Sequence, residues 1–170
     1  MTDVTPDEQW REDRTTFQRV YHSIVGMQSF RTVQDIASRA SCSETGAREA
    51  LEQLVEMGIA QRRDGRPAQY RRNDAYLTWK RIESLAREQS PTALRSRVDS
   101  LIEEDEAFQA RYGVPDPDAV TDEDFPTASH ETLHEHWEGL SEWRTVRRDI
   151  RVLRRAVQRA ETRPEDGAQA

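Results

Sequence analysis

Lysine is almost missing from this chain of 170 residues: of 25 basic side chains only Lys80 is lysine, and the others are arginine. There is one cysteine, Cys42, which excludes an internal disulfide and leads us to expect a cytoplasmic address. No apolar run approaches the roughly 18 residues of a membrane span. The N-terminal MTDVTPDEQW lacks the basic-then-apolar order of a secretory signal. No internal repeat and no pocket motif is visible. We therefore expect no cofactor and no membrane partner, and leave any small-molecule effector open.

What is abundant is charge. Charged residues make up 34% of the chain against 35% hydrophobic, enough for a modest core under a heavily solvated surface. Net charge is −7, unevenly spread. Residues 99–143 hold 14 acidic side chains and one arginine, residues 144–163 hold eight arginines against Asp149 and Glu161, and residues 58–72 hold five arginines against Asp64. Each run has a plain reading as a solvated face, so position has to decide whether it means more. Acidic composition with arginine in place of lysine resembles proteins of halophilic archaea, although GC-rich coding produces the same arginine bias. In molar salt the Debye length is only about 3 Å, and net repulsion from DNA then counts for little beyond direct contact.

Hydrophobic spacing and capping residues order the elements. Thr5-Pro6-Asp7-Glu8 predicts a helix start, with Trp10, Phe17, Tyr21 and Ile24 on one face and Gly26 as the stop. Thr32 is a candidate cap for a short helix over 33–40, in which Val33, Ile36, Ala37 and Ala40 share a face. Ser41-Cys42-Ser43 reads as a tight turn, where Cys42 is a small buried residue or, as an alternative, a redox switch. Ser43 caps a helix over 44–57 with Ala47, Ala50, Leu51, Leu54 and Met57 on its apolar side, and Gly58 closes it. Asp64-Gly65 between the short runs 59–63 and 68–72 predicts a hairpin. Further helices carry Leu77, Ile82 and Leu85, then 91–112. An acidic loop covers 113–127, a long helix 129–159, and the last residues, 163–170, form a disordered tail.

Helix, tight turn, helix, glycine, strand, hairpin, strand is an order with a name. Over Thr32–Ala37, Ser43–Leu51, Leu54, Met57–Ala60 and Arg62-Arg63 the chain resembles a winged helix-turn-helix, similar to ArsR-like and sugar-regulator-like transcription regulators. The resemblance implies a mainly α protein. A winged helix-turn-helix DNA-binding domain with a small β-hairpin wing would span 1–76. A helical dimerisation extension with a long coiled-coil-like helix would span 77–162. It also implies that the second helix of the pair enters the major groove of double-stranded DNA while the wing lies over the adjacent backbone. Ser43, Thr45, Gly46, Arg48 and Glu49 are then the candidate contacts of the recognition helix, with Arg48 for guanine and Gly46 allowing close approach. Arg62, Arg63, Arg66 and Arg71 are the candidate phosphate contacts of the wing. Two alternatives stand beside this: a protein-binding winged helix, favoured by Glu44, Glu49, Glu52 and Glu56, and a surface ion pair of Arg48 with Glu44 or Glu52.

His130-Glu131-Thr132-Leu133-His134 matches H-E-x-x-H, the zinc-peptidase signature. A zincin also needs a third ligand. Trp137 and Leu140 stand where a metzincin would carry glycine and histidine, and no carboxylate lies between Asp149 and Glu161. We read no enzyme and no metal site, with a metal-responsive regulator or peptidase as a remote alternative. The same helix carries Leu133, Trp137, Leu140, Trp143, Val146, Ile150, Leu153 and Val157 in one seam. A seam this long needs a partner, either the chain's own helix at 91–112 or the twin helix of a second chain. We expect a homodimer through Trp137, Leu140, Trp143, Ile150, Leu153 and Val157, since two-fold proteins commonly read two-fold sites.

Overall fold

Side-chain caps start the first three helices. The structure is a computed structural model and describes residues 14–121 and 130–163. Helix α1, Thr16–Val25, begins at Thr15, whose hydroxyl accepts from the Gln18 amide while the Gln18 side chain accepts from the Thr15 amide. This reciprocal pair satisfies two amides that a helix start leaves unbonded. The start expected at Thr5, and Trp10 with it, lie outside the described residues. Thr32 and Asp35 form the same box at the head of α2, Val33–Arg39. Ser43 caps α3, Glu44–Glu56, accepting from the Gly46 amide at 3.1 Å.

The turn between α2 and α3 is tight enough to place Ser41 at φ 51°, a region rarely occupied by a residue with a side chain. The far end of α3 closes by the Schellman pattern. Gly58 takes φ 75°, its amide donates to the Val55 carbonyl, and the Ile59 amide donates to the Leu54 carbonyl at 2.9 Å. Ile59 is buried beside Leu54 and turns the chain into the sheet.

Strand β2, Ala60–Arg63, pairs antiparallel with β3, Gln69–Arg72. A short strand β1, Arg31–Thr32, which the sequence did not announce, pairs with the other edge of β3, so the strand order is β1-β3-β2. Ala60 and Tyr70 point into the core, which is built from Val20, Ile24, Ile36, Leu51 and Leu54. The alternation of strand side chains therefore puts Gln61, Arg63, Gln69 and Arg71 on the opposite face.

The chain divides into two compact units at Leu77/Thr78, inside α4, Asp74–Glu88. The second unit is helical. Ser90 caps α5, Pro91–Tyr112, with proline in the first turn, and Gly113 ends it at φ 69°. Helix α6, His130–Glu161, packs along α5, and Ile82 of α4 joins Leu94, Val98, Val152, Leu153 and Ala156 in their core. Of the acidic loop expected over 113–127, residues 117–119 form a short 3-10 turn, and residues 122–127 lie outside the described part, as does the tail after 163. Among the described residues no helix is long and apolar enough to cross a membrane.

The dimer seam needs correction. Trp143 is 0% exposed, Leu153 3% and Leu140 4%, all covered within their own chain. The partner of the seam is thus the chain's own α5, the first of the two possibilities left by spacing alone. Ile150 is buried at the edge of this contact, Val157 is half-buried, and Trp137 stays 56% exposed.

A carboxylate sits in the middle of that contact. Asp105, 15% exposed, accepts from the Trp143 indole at 2.6 Å, from Gln109 at 2.6 Å and from Arg147 at 2.7 Å. Arg147 reaches on to Asp116 and the Pro115 carbonyl, and Arg144 bonds Asp118 at 2.9 Å, which ties the 3-10 turn to α6. Phe108 and Tyr112 stack nearly parallel to Trp143, at 5.9 and 5.7 Å between ring centres. Burial by itself would raise the Asp105 carboxyl, but the hydrogen bonds from Arg147, Trp143 and Gln109 and the Arg147 charge outweigh it and hold the group below its ordinary value.

A carboxyl lowered on folding stabilises above its unfolded pKa, and that stability is lost as pH falls through the folded value. Thermal melts followed from neutral pH to below about pH 4, the ordinary aspartate range, should therefore show wild type losing a component that Asp105→Asn has already lost at neutral pH. Asp105→Ala, which leaves Arg147 and the indole N–H without their acceptor, should cost about 2–3 kcal/mol in chemical denaturation of the second unit.

Candidate nucleic-acid interface

Helix α3 has two unlike sides. Ala47, Ala50, Leu51 and Leu54 are buried against α1 and α2, and this one-sided docking leaves Thr45, Arg48, Glu49, Glu52 and Gln53 in solvent. Arg48 makes no hydrogen bond or ion pair with any described residue, so the alternative pairing with Glu44 or Glu52 is not formed. A free guanidinium on a rigid helix keeps its five donors for an external acceptor. Glu44, Glu49, Glu52 and Glu56 are exposed on the same helix, so the flank is acidic around one cation.

At the head of α3, Ser43 is exposed, and its oxygen already accepts from the Gly46 amide. Its hydroxyl proton remains available as a donor, whereas the Gly46 amide is occupied. Gly46 itself has a structural reason within the chain. A Cβ there would sit 3.2 Å from the Thr16 methyl and 3.3 Å from the Ser43 oxygen, closer than most packed contacts. Its small size serves the packing of α3 on α1 and the cap.

The hairpin arginines are not equivalent. Arg66 is exposed in the loop between the strands, and no described residue bonds it. Arg62 pairs with Asp64 at 3.2 Å and is about half exposed. Arg72, on the core side of β3, donates to the Val25 carbonyl at 3.1 Å and to Asp74 at 2.7 Å, which makes it a brace of the fold. Arg63 and Arg71 stand together on the outer face of the sheet. Both guanidinium groups lie over the Phe30 ring, at 4.3 and 4.8 Å from its centre, and each bonds a cross-strand glutamine: Arg63 to Gln69, Arg71 to Gln61 at 3.0 Å.

Phe30 escaped the sequence reading, as did the two glutamines. The only signal was an aromatic residue just ahead of β1, meaningful once β1 is known to lie beside β3. Stacking of this kind is favourable by about 0.5–1 kcal/mol at exposed sites and restricts both side chains without neutralising them. The outer face therefore presents two held cations with no ion pair among the described residues.

Cys42 is half-buried, and its amide donates to the Ala37 carbonyl across the turn. Burial pushes its thiol up despite Arg19, which works against a reactive thiolate. Of HETLH, the helix includes His130, but the side chains of 130–133 lie outside the described residues. His134 is exposed and pairs with Glu138 at 3.3 Å. Among the described residues no three metal-ligating side chains come together.

A search of curated proteins finds no match to the chain. A family model does match, over residues 14–161, which takes in every helix and strand from α1 to α6. The helical pair, the small sheet and the α5–α6 pair thus fall inside one inherited unit of sequence, and the chain belongs to the family of unknown function DUF7342.

Proposed function

We propose that this protein is a winged helix-turn-helix regulator of transcription that binds double-stranded DNA sequence-specifically, with α3 as recognition helix and the β2–β3 hairpin as wing. The observation that carries the reading is Arg48, which no described residue pairs, on the solvent flank of a helix docked by its other side. The order α1, β1, α2, α3, β2, β3 and the sheet order support it. In the proposed complex Arg48 bonds a base edge in the major groove, the Ser43 hydroxyl and Thr45 contact phosphate, and Glu49 lies beside them to discriminate among bases. Arg63, Arg66 and Arg71 neutralise backbone charge, and Arg62 joins them by releasing Asp64. The act is occupancy of a DNA site, and no bond is made or broken. If the protein works in molar salt, direct contacts carry affinity and counterion release contributes little.

Footprinting on genomic fragments, followed by anisotropy on the selected site, tests this. Arg48→Ala should cost about 1–3 kcal/mol on that site and relax the preference at one base position. An unchanged footprint would remove Arg48 from the interface. Replacing Arg63, Arg66 and Arg71 together by alanine should weaken all sequences alike and lower the salt slope by about one for each phosphate left without its arginine.

Phe30→Leu should behave as a milder form of that triple variant, because it frees Arg63 and Arg71 without removing their charge. Affinity should drop severalfold with the sequence preference intact. An affinity equal to wild type would mean that the stack contributes nothing to binding.

A second reading is supported by the four glutamates of α3: the same flank recognises a protein. It requires that no footprint appears at any salt concentration.

A further inference from the structure

Helices α5 and α6 run antiparallel, since Asp105 meets Arg147 while Arg95 meets Glu161 farther along. An open groove runs between them as two hollows of about 340 and 310 Å³ that share Arg154. Its floor carries Val98 and Ile102 from α5 and Ile150 and Val157 from α6, with Gln109 and Gln158 beside them; of the four apolar residues Ile102 and Val157 face the groove most openly. Ile102 and Val157 keep partial exposure although the core beneath them is closed. This strip is what remains of the long seam after α5 has covered the rest.

The two banks carry opposite charge. On the α5 bank stand Asp99 and Glu106, on the α6 bank Arg151 and Arg154. None of these four makes a hydrogen bond or ion pair with a described residue, although each hollow is lined by an acid from one bank and an arginine from the other. The remaining charges on the banks are satisfied within the chain, Arg95 by Glu161, and Arg147 by Asp105 and Asp116. A strip with Ile102 and Val157 between an acidic and a basic bank, neither neutralised by a described residue, is complementary to itself.

We propose that a second copy of this chain docks in the α5–α6 groove, forming a two-fold four-helix bundle. The charge pattern selects the symmetry axis. A two-fold perpendicular to the helices would lay α5 on α5 and α6 on α6, acid on acid and arginine on arginine. A two-fold parallel to the helices lays the α5 of one copy on the α6 of the other and keeps each residue at its own height. Asp99 then meets Arg154 of the second copy and Glu106 meets Arg151, twice over, while Ile102 and Val157 close against their counterparts. Such an interface is isologous, as closed dimers require. It involves no residue of α3 or the hairpin and stands whether or not those bind DNA.

The test is sedimentation equilibrium of the full chain without DNA, at tens of micromolar and moderate salt. Wild type is expected at twice the chain mass of 19.7 kDa, and Ile102→Asp at the single mass with its helical circular dichroism retained. Two reversed chains follow, one with Arg151→Glu and Arg154→Glu, the other with Asp99→Arg and Glu106→Arg. Each alone is expected to be monomeric, and their equimolar mixture to form a mixed dimer, because every bank then faces its opposite. A monomeric wild type overturns the proposal and leaves the groove to some other partner. So does an Ile102→Asp chain that stays dimeric, a reversed chain that pairs with itself, or a mixture that stays monomeric. Should Ile102→Asp lose its helical signal, the mixed pair decides alone, since pairing on mixing shows that both reversed chains are folded.

Discussion

The one-sided docking of α3 is the constraint on which the first unit depends. Four small or branched side chains, Ala47, Ala50, Leu51 and Leu54, hold the helix by a narrow stripe. Two of the four are alanine, and Ala37 and Ala40 are buried with them, so the helices approach closely and little side-chain entropy is lost. A wider apolar stripe would bury the flank that carries Arg48. A narrower one would leave a helix of 13 residues without enough cover, since short helices are marginal without tertiary packing. Packing and exposure are thus two consequences of the same spacing.

The second unit depends on a polar contact. Asp105 interrupts the apolar stripe of α5, and it is retained because Trp143, Arg147 and Gln109 satisfy it within an otherwise apolar contact. Partly buried carboxylates are tolerated when their acceptor sites are filled. The cluster also sets the longitudinal register of α5 against α6, since the indole and guanidinium reach the carboxylate from fixed heights on α6. That register is what brings Asp99 and Arg154 to one hollow and Glu106 and Arg151 to the other.

Much of the fold was legible because caps and stops are local. Thr32, Ser43, Ser90-Pro91, Gly58 and Gly113 act through hydrogen bonds within a turn of their own position, and each marks a real boundary. The hairpin was legible from Asp64-Gly65 for the same reason. The third strand was not: Arg31-Thr32 is too short to show alternation and exists only because β3 lies beside it. Phe30 as a platform for Arg63 and Arg71 was hidden likewise, because the three are neighbours only across the sheet. Arg72 reads like its neighbours in sequence, and only the alternation of β3 turns it inward to Val25.

By itself, then, the sequence determined the helices, the hairpin and where charge accumulates, and most of each apolar face, although Met57, expected on the apolar side of α3, is 57% exposed. Hydrogen bonding and hydrophobic spacing within one segment suffice for these. Only the tertiary structure decided what covers the seam of α6. Spacing specifies that an apolar stripe must be buried but not whose helix buries it, and α5 belongs to the same chain, so its docking carries no concentration cost. The tertiary structure also decided which arginines are braces and which stay available, because a guanidinium's partner is chosen in space and not along the chain.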